Sequence, residues 1–160
     1  MKITAAAVQM TSTGDEARNL DAALALCARA ADLGAQLVAL PENFLAVRGA
    51  GDPPPRGVSL DGPELSALSA LARERSIHLL AGTVAEAIPG SAKVYNTSML
   101  FGPDGARIAE YRKIHLFDTA ISRGETHKES DNVERGEKAA VADTTFGKVG
   151  LSICYDLRFP

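Results

Sequence analysis

Apolar residues recur at spacings of three and four between Asn19 and Leu33, where Leu20, Ala23, Leu24, Cys27 and Ala31 share one side. Gly34 stands just past the end as a stop, so the spacing predicts a helix there. A second predicted helix, Pro63 to Ser76, carries Leu65, Leu68 and Ala72 on one face, with Pro63 suited to its first turn. The remaining apolar positions fall in short runs, which predict strands. Ile3 to Met10 is apolar almost throughout and predicts a strand covered on both sides. Gln36 to Leu40, halted by Pro41, Ile77 to Val84, and Val94 to Phe101 follow. The tight turn Gly102 to Gly105 leads into a fifth strand, Ala106 to Tyr111. Ala139 to Thr145 and Val149 to Ile153, joined through Phe146 and Gly147, are the last two.

Helices alternating with apolar strands, plus a hairpin, predict an α/β sheet of mixed direction. Arg48 to Gly62, with Pro53, Pro54 and Pro55, predicts a surface loop, and the polar stretch Asp118 to Lys138 a long loop of the kind that carries function. Seven strands matched by two helices leave apolar sheet faces uncovered. This imbalance predicts a fragment, or a chain that needs a partner.

A length of 160 residues fits one domain able to bury its own core. No apolar run approaches the ~20 residues that span a bilayer, and the N-terminal stretch lacks a secretory cleavage pattern, which points to the cytoplasm and away from membranes. With 17 basic and 20 acidic residues intermixed, the net charge of −3 leaves no electrostatic footprint for nucleic acid. A small-molecule partner is therefore expected. Cys27 and Cys154 are not expected to pair in a reducing compartment, and Cys27 lies on the helical stripe as core filling.

Candidate chemistry collects at predicted strand ends. Glu42 follows the second strand, Lys113 the fifth, and Cys154 the last, where a buried strand would deliver a thiol to the rim of the sheet. If those strands are neighbours, carboxylate, ammonium and thiol converge. A thiol nucleophile needs a base, which Glu42 can supply, and attack on a carbonyl or nitrile carbon builds negative charge that Lys113 and the Tyr155 N–H can stabilise. Cys154 can also be read as a core cysteine, Glu42 as a helix cap, and Lys113 as an ordinary surface charge. Among the histidines, His78 is read as structural and His127 as a loop residue without a partner, while His115 is the one rival base for a Cys/His dyad. No His, Cys or carboxylate pair shows metal-ligand spacing.

Three stretches in this order, LPENF around Glu42, YRKIHLF around Lys113 and GLSICYDLRFP around Cys154, resemble the signature blocks of the nitrilase superfamily of carbon–nitrogen hydrolases. The opening AVQM is similar to the family's first strand. KIHLFD, the KESD loop and CYDLRFP resemble the Nit branch, with its ω-amidase and deaminated-glutathione amidase relatives. The resemblance implies Glu42 as general base, Lys113 as electrostatic stabiliser, Cys154 as nucleophile, and Glu129 as a second glutamate that positions substrate and lysine. It implies an α-β-β-α sandwich that pairs into homo-oligomers and uses no metal or organic cofactor. Residues 1–160 would then be the N-terminal portion of that hydrolase domain.

The expected activity is release of ammonia from a small linear amide through a cysteine acyl-enzyme. A substrate carboxylate would meet Arg158, unless Arg158 instead pairs with Asp156. The alternatives are nitrile hydrolysis or acyl transfer by the same three residues, or an inactive chain that serves only in binding or assembly.

Overall fold

We describe the protein from a computed structural model over residues 2–49, 52–121 and 125–160; side chains of 120–127 lie outside the described set. The first predicted strand forms only over β1 (Ala5–Ala7), and it is not covered on both sides, because Ala5 and Ala7 are exposed. Within the main sheet β1 is an edge strand, paired in parallel with β2 (Leu37–Ala39) alone. Between them runs α1 (Glu16–Asp32), whose first turn is capped by the Asp15 carboxylate accepting from the Arg18 N–H at 3.0 Å. Gly34, with φ +89°, turns the chain out of the helix as the sequence predicts.

The second helix, α2 (Pro63–Arg75), starts on Pro63 and ends at a left-handed Ser76. The two helices pack on each other and on the sheet. Ala23, Cys27, Leu65, Leu68 and Ala72 are buried there against Val38, Leu79, Met99 and Phe101. Burial of each full-sized aliphatic side chain contributes about 1.5–3 kcal/mol, so the apolar stripes are what hold helices to sheet.

The predicted strand Ile77 to Val84 is in fact two, β3 (His78–Leu80) and β4 (Val84–Ala87). Gly82 breaks it with φ +47°, where an added Cβ would sit 2.0 Å from the Pro41 carbonyl oxygen. Both pieces pair antiparallel with one side of β5 (Val94–Phe101), the longest strand among the described residues. The other side of β5 is broken in the same way. It holds β6 (Arg107–Arg112) antiparallel and, further along, two residues of parallel strand.

The segment from Asp118 to Lys138 is more ordered than a long loop. It contains the antiparallel pair β7 (Asp118–Ile121) and β8 (Glu125–Lys128), a short turn of 3-10 helix over Glu129–Asp131, and β9 (Val133–Glu134), the parallel partner of β5. Alternation of polar and apolar residues was too brief there to mark strands.

The last two strands form a separate hairpin, β10 (Val141–Thr144) with β11 (Gly147–Gly150). Cys154 therefore does not end a buried strand. The chain leaves the hairpin at Gly150, and the Ile153 N–H donates to an Asp156 carboxylate oxygen at 2.9 Å instead of to a neighbouring strand. Cys154 opens a turn of 3-10 helix, Cys154–Arg158. Among the described residues no helix is long and apolar enough to cross a membrane.

Candidate active site

The two breaks beside β5 decide where the reactive groups fall. On one side, the Pro41 carbonyl accepts from the Thr83 N–H at 3.3 Å, and the Asn43 N–H donates to the Thr83 hydroxyl at 2.8 Å. These bonds lock Glu42 over the Gly82 gap. On the other side, the Lys113 N–H donates to the Asn96 carbonyl at 2.9 Å, and the Gly136 N–H to the Lys113 carbonyl at 2.8 Å. Gly136 has to be small, since a Cβ would lie 2.2 Å from the Arg112 carbonyl oxygen.

From these two positions the side chains meet. Lys113 Nζ lies 3.1 Å from Glu42 Oε1 and 3.0 Å from Glu129 Oε2. At 3% exposure the lysine side chain is not a surface charge. Burial pushes its pKa down, but the hydrogen bond it donates to Glu129 and the charges of Glu42 and Glu129 more than reverse this, so Lys113 stays charged. Glu129 is fixed in turn by the Phe117 N–H at 2.7 Å. Asn96 completes the cluster, its Nδ2 donating to Glu42 Oε1 at 2.8 Å. Asn96 and the glycines that frame the breaks are absent from the sequence-derived set, although an Asn in the middle of a central strand is itself unusual.

Cys154 reaches the cluster from its own turn. Its thiol feels the charges of both Glu42 and Lys113, and the residue is exposed and carried on a backbone with φ +47°. A non-glycine residue held there costs about 1–3 kcal/mol. Asp156 supplies the restraint. Buried, it accepts from the Ile153 N–H at 2.9 Å, the Tyr111 hydroxyl at 2.7 Å and the His115 N–H at 2.9 Å. These bonds tie the nucleophile turn to the end of β6 and hold the Asp156 carboxyl below its usual range against the upward push of burial.

The same network bears on two sequence expectations. His115 Nδ1 lies 2.8 Å from Asp156 Oδ1 and its ring stacks on Phe159 at 3.9 Å, while the groups whose charges act on the Cys154 thiol are Glu42, Lys113 and Glu129. Arg158 is exposed and, among the described residues, forms no ion pair with Asp156, whose partners are Tyr111, His115 and Ile153. The Tyr155 ring, half-buried, packs edge-on against Phe117 and Phe159. His78 is buried edge-on to Phe146, and burial pushes its pKa down, as for a structural histidine. The His127 side chain lies outside the described residues. Cys27 is fully buried, its thiol pushed up to about 12 by that burial, so it is inert filling.

Beside the cluster lies a cavity of about 580 Å³ lined by Asn43, Arg48, Tyr95, Asn96 and Glu129 among others. It reaches the cluster through Asn96 and Glu129, and neither Lys113 nor Cys154 lines it.

Cys154 titrates above an ordinary thiol, first because of desolvation and then because Glu42 repels a thiolate, with Lys113 acting in the opposite sense. Alkylation by iodoacetamide is therefore expected to reach half its maximal rate above the free-thiol value of about 8.5. Removing the Glu42 charge in Glu42→Gln should lower that midpoint, and Lys113→Met should raise it. Rate–pH curves on the three proteins check the signs.

This mixed α/β fold is that of the nitrilase superfamily. Residues 4–160 match the model of the carbon-nitrogen hydrolase family, and the chain belongs to it. The omega-amidase NIT2 of Homo sapiens is 39% identical over 154 residues, covering 96% of this chain and 55% of that protein. Saccharomyces cerevisiae Nit3, a member of branch 10 of the nitrilase superfamily, superposes with a TM-score of 0.74 at 35% identity, over 93% of this chain and 54% of that one. A mutant amidase from Nesterenkonia sp. AN1, seen after addition of acrylamide at its active site cysteine, superposes with a TM-score of 0.79 at 26% identity, over 99% and 60%. The chain thus spans about half the length of the curated relatives it matches.

Proposed function

We propose that this chain carries the reacting groups of a thiol amidohydrolase. The observation that carries the reading is the meeting of three distant segments, with Glu42 3.1 Å from Lys113 and the Cys154 thiol close enough for the charges of both to act on its titration. Because the thiol is held protonated at neutral pH, it needs a base at the moment of attack, and Glu42 is the carboxylate whose charge acts on it most strongly. Cys154 Sγ bonds to the amide carbon while Glu42 takes the thiol proton. The negative charge moves to the carbonyl oxygen, where Lys113 and the Tyr155 N–H offset it. Collapse breaks the C–N bond, Glu42 returns the proton to nitrogen, and ammonia leaves. Water, deprotonated by Glu42, then cleaves the thioester and restores the thiol.

Glu129 acts through Lys113, whose ammonium donates to both of its carboxylate oxygens. Arg158, exposed beside the nucleophile turn, is available to a substrate carboxylate. The likeness to an omega-amidase supports ω-amides of keto acids, or deaminated glutathione, as the substrate class. The addition of acrylamide at the active site cysteine of the Nesterenkonia amidase supports Cys154 as the nucleophile.

Ammonia release from ω-amides, measured beside the matching nitriles, tests the assignment. Release from the amides and little from nitriles is expected; release from nitriles alone would overturn it. No release from either, with the fold intact, would favour a binding or assembly role.

A further inference from the structure

We propose that Asn96 is a positioning residue that dictates which oxygen of Glu42 acts as the base. The inference rests on the reading of Glu42 as proton acceptor, and its geometry is independent of substrate. Glu42 Oε1 is occupied twice, by Lys113 Nζ at 3.1 Å and by Asn96 Nδ2 at 2.8 Å. With Oε1 saturated by two donors, the proton from sulfur goes to Oε2. Lysine alone could not enforce this, because it is a compact charge with rotatable donors that Glu129 also engages at 3.1 Å and 3.0 Å. The planar amide of Asn96, 5% exposed and fixed in the middle of β5, sets the direction.

A second observation points the same way. The Asn96 Oδ1 atom is buried and has no hydrogen-bond partner. Turning the amide over would not relieve this, since it would aim Oδ1 at Glu42 and at Glu129 Oε1, which lies 3.5 Å from Nδ2. The orientation is thus imposed by the two carboxylates, at the expense of an unsatisfied acceptor. Native proteins tolerate few of these, and each calls for a local reason.

The charged groups facing Glu42 are Lys113 just after β6 and Glu129 on its 3-10 turn, beside the neutral Cys154 thiol. Of these, Glu129 also lies near Asn96, its Oε1 3.5 Å from Nδ2. Loss of the Asn96 N–H donor removes the hydrogen bond that fixes Glu42 Oε1 from β5.

Asn96→Ala and Asn96→Ser, the latter keeping a hydroxyl donor, are compared with the parent by carbon-13 NMR of labelled glutamate, the Glu42 signal being assigned by its loss in Glu42→Gln. At neutral pH the Glu42 carboxyl signal should move in the alanine variant, with serine between it and the parent. In the amidase assay kcat should fall about tenfold in the alanine variant and be partly restored in the serine one, with KM little changed. An unmoved Glu42 carboxyl signal in a folded alanine variant would overturn the inference. A parent with no Cys154-dependent ammonia release would instead overturn the proposed function, and the NMR comparison would still decide the role of Asn96.

Discussion

Replacing Cys154 by alanine is expected to lower ammonia release by at least about 10⁴-fold while leaving thermal stability within about 0.5 kcal/mol of the parent. The contrast follows from where the residue sits. Its side chain is exposed and packs into no core, so truncation opens no cavity. The strained turn is held by Asp156 through the Ile153, Tyr111 and His115 contacts, none of which involves sulfur. All of the loss should appear in kcat, because the missing interaction is the bond formed in the reaction. Steady-state kinetics beside a calorimetric melt check both halves. A large fall in melting temperature would show that the thiol is structural after all, the core-cysteine reading of the sequence.

Lys113→Met should behave in the opposite way, damaging the fold as well as the rate. Methionine keeps the length of the side chain but leaves Glu42 and Glu129 facing each other without a cation. Breaking a buried ion pair from one side costs roughly 3–5 kcal/mol, which for a chain of this size lowers the melting temperature by on the order of 10 °C. The variant's pH dependence carries the sign of the cause. Two carboxylates crowded together favour protonation in the folded state, which then binds more protons than the unfolded chain, so stability of the variant falls as pH rises through the carboxylate range. In the parent the loss with rising pH lies far higher. Its lysine titrates above the ordinary value, so the ion-pair contribution is complete below about pH 10.4 and is lost only as pH rises through the folded pKa. Melting curves at several pH values separate the two proteins.

The sequence shows the helices well, because a three-and-four spacing of Leu20, Ala23, Leu24 and Cys27 has few other readings and because Gly34 and Pro63 mark chain reversals by steric rule. The blocks around Glu42, Lys113 and Cys154 stand out in it too, and the fold brings Glu42 within 3.1 Å of Lys113. What it hides is how they are delivered. Ile77 to Val84 reads as one strand, since IHLLAGTV is mostly apolar, and the break falls at Gly82, whose positive φ and missing Cβ let the chain pass close to the Pro41 carbonyl. The run VGLSI before Cys154 reads as a buried strand, yet a side chain three residues further on, Asp156, captures the backbone N–H that a strand partner would need. Period-two patterning carries no information about such local competition. Asn96 is hidden for a different reason: a polar residue in a strand signals a site only once its neighbours across the sheet are known.

The central claim is that Cys154 becomes covalently acylated. Quenching the protein during turnover of an ω-amide and mapping its peptides by mass spectrometry tests this directly. The account predicts an acyl mass on the peptide containing Cys154, accumulating further in Glu42→Gln if any acylation persists there, and absent from the peptide containing Cys27. Continued ammonia release with Cys154 unmodified, and undiminished in Cys154→Ala, would contradict it.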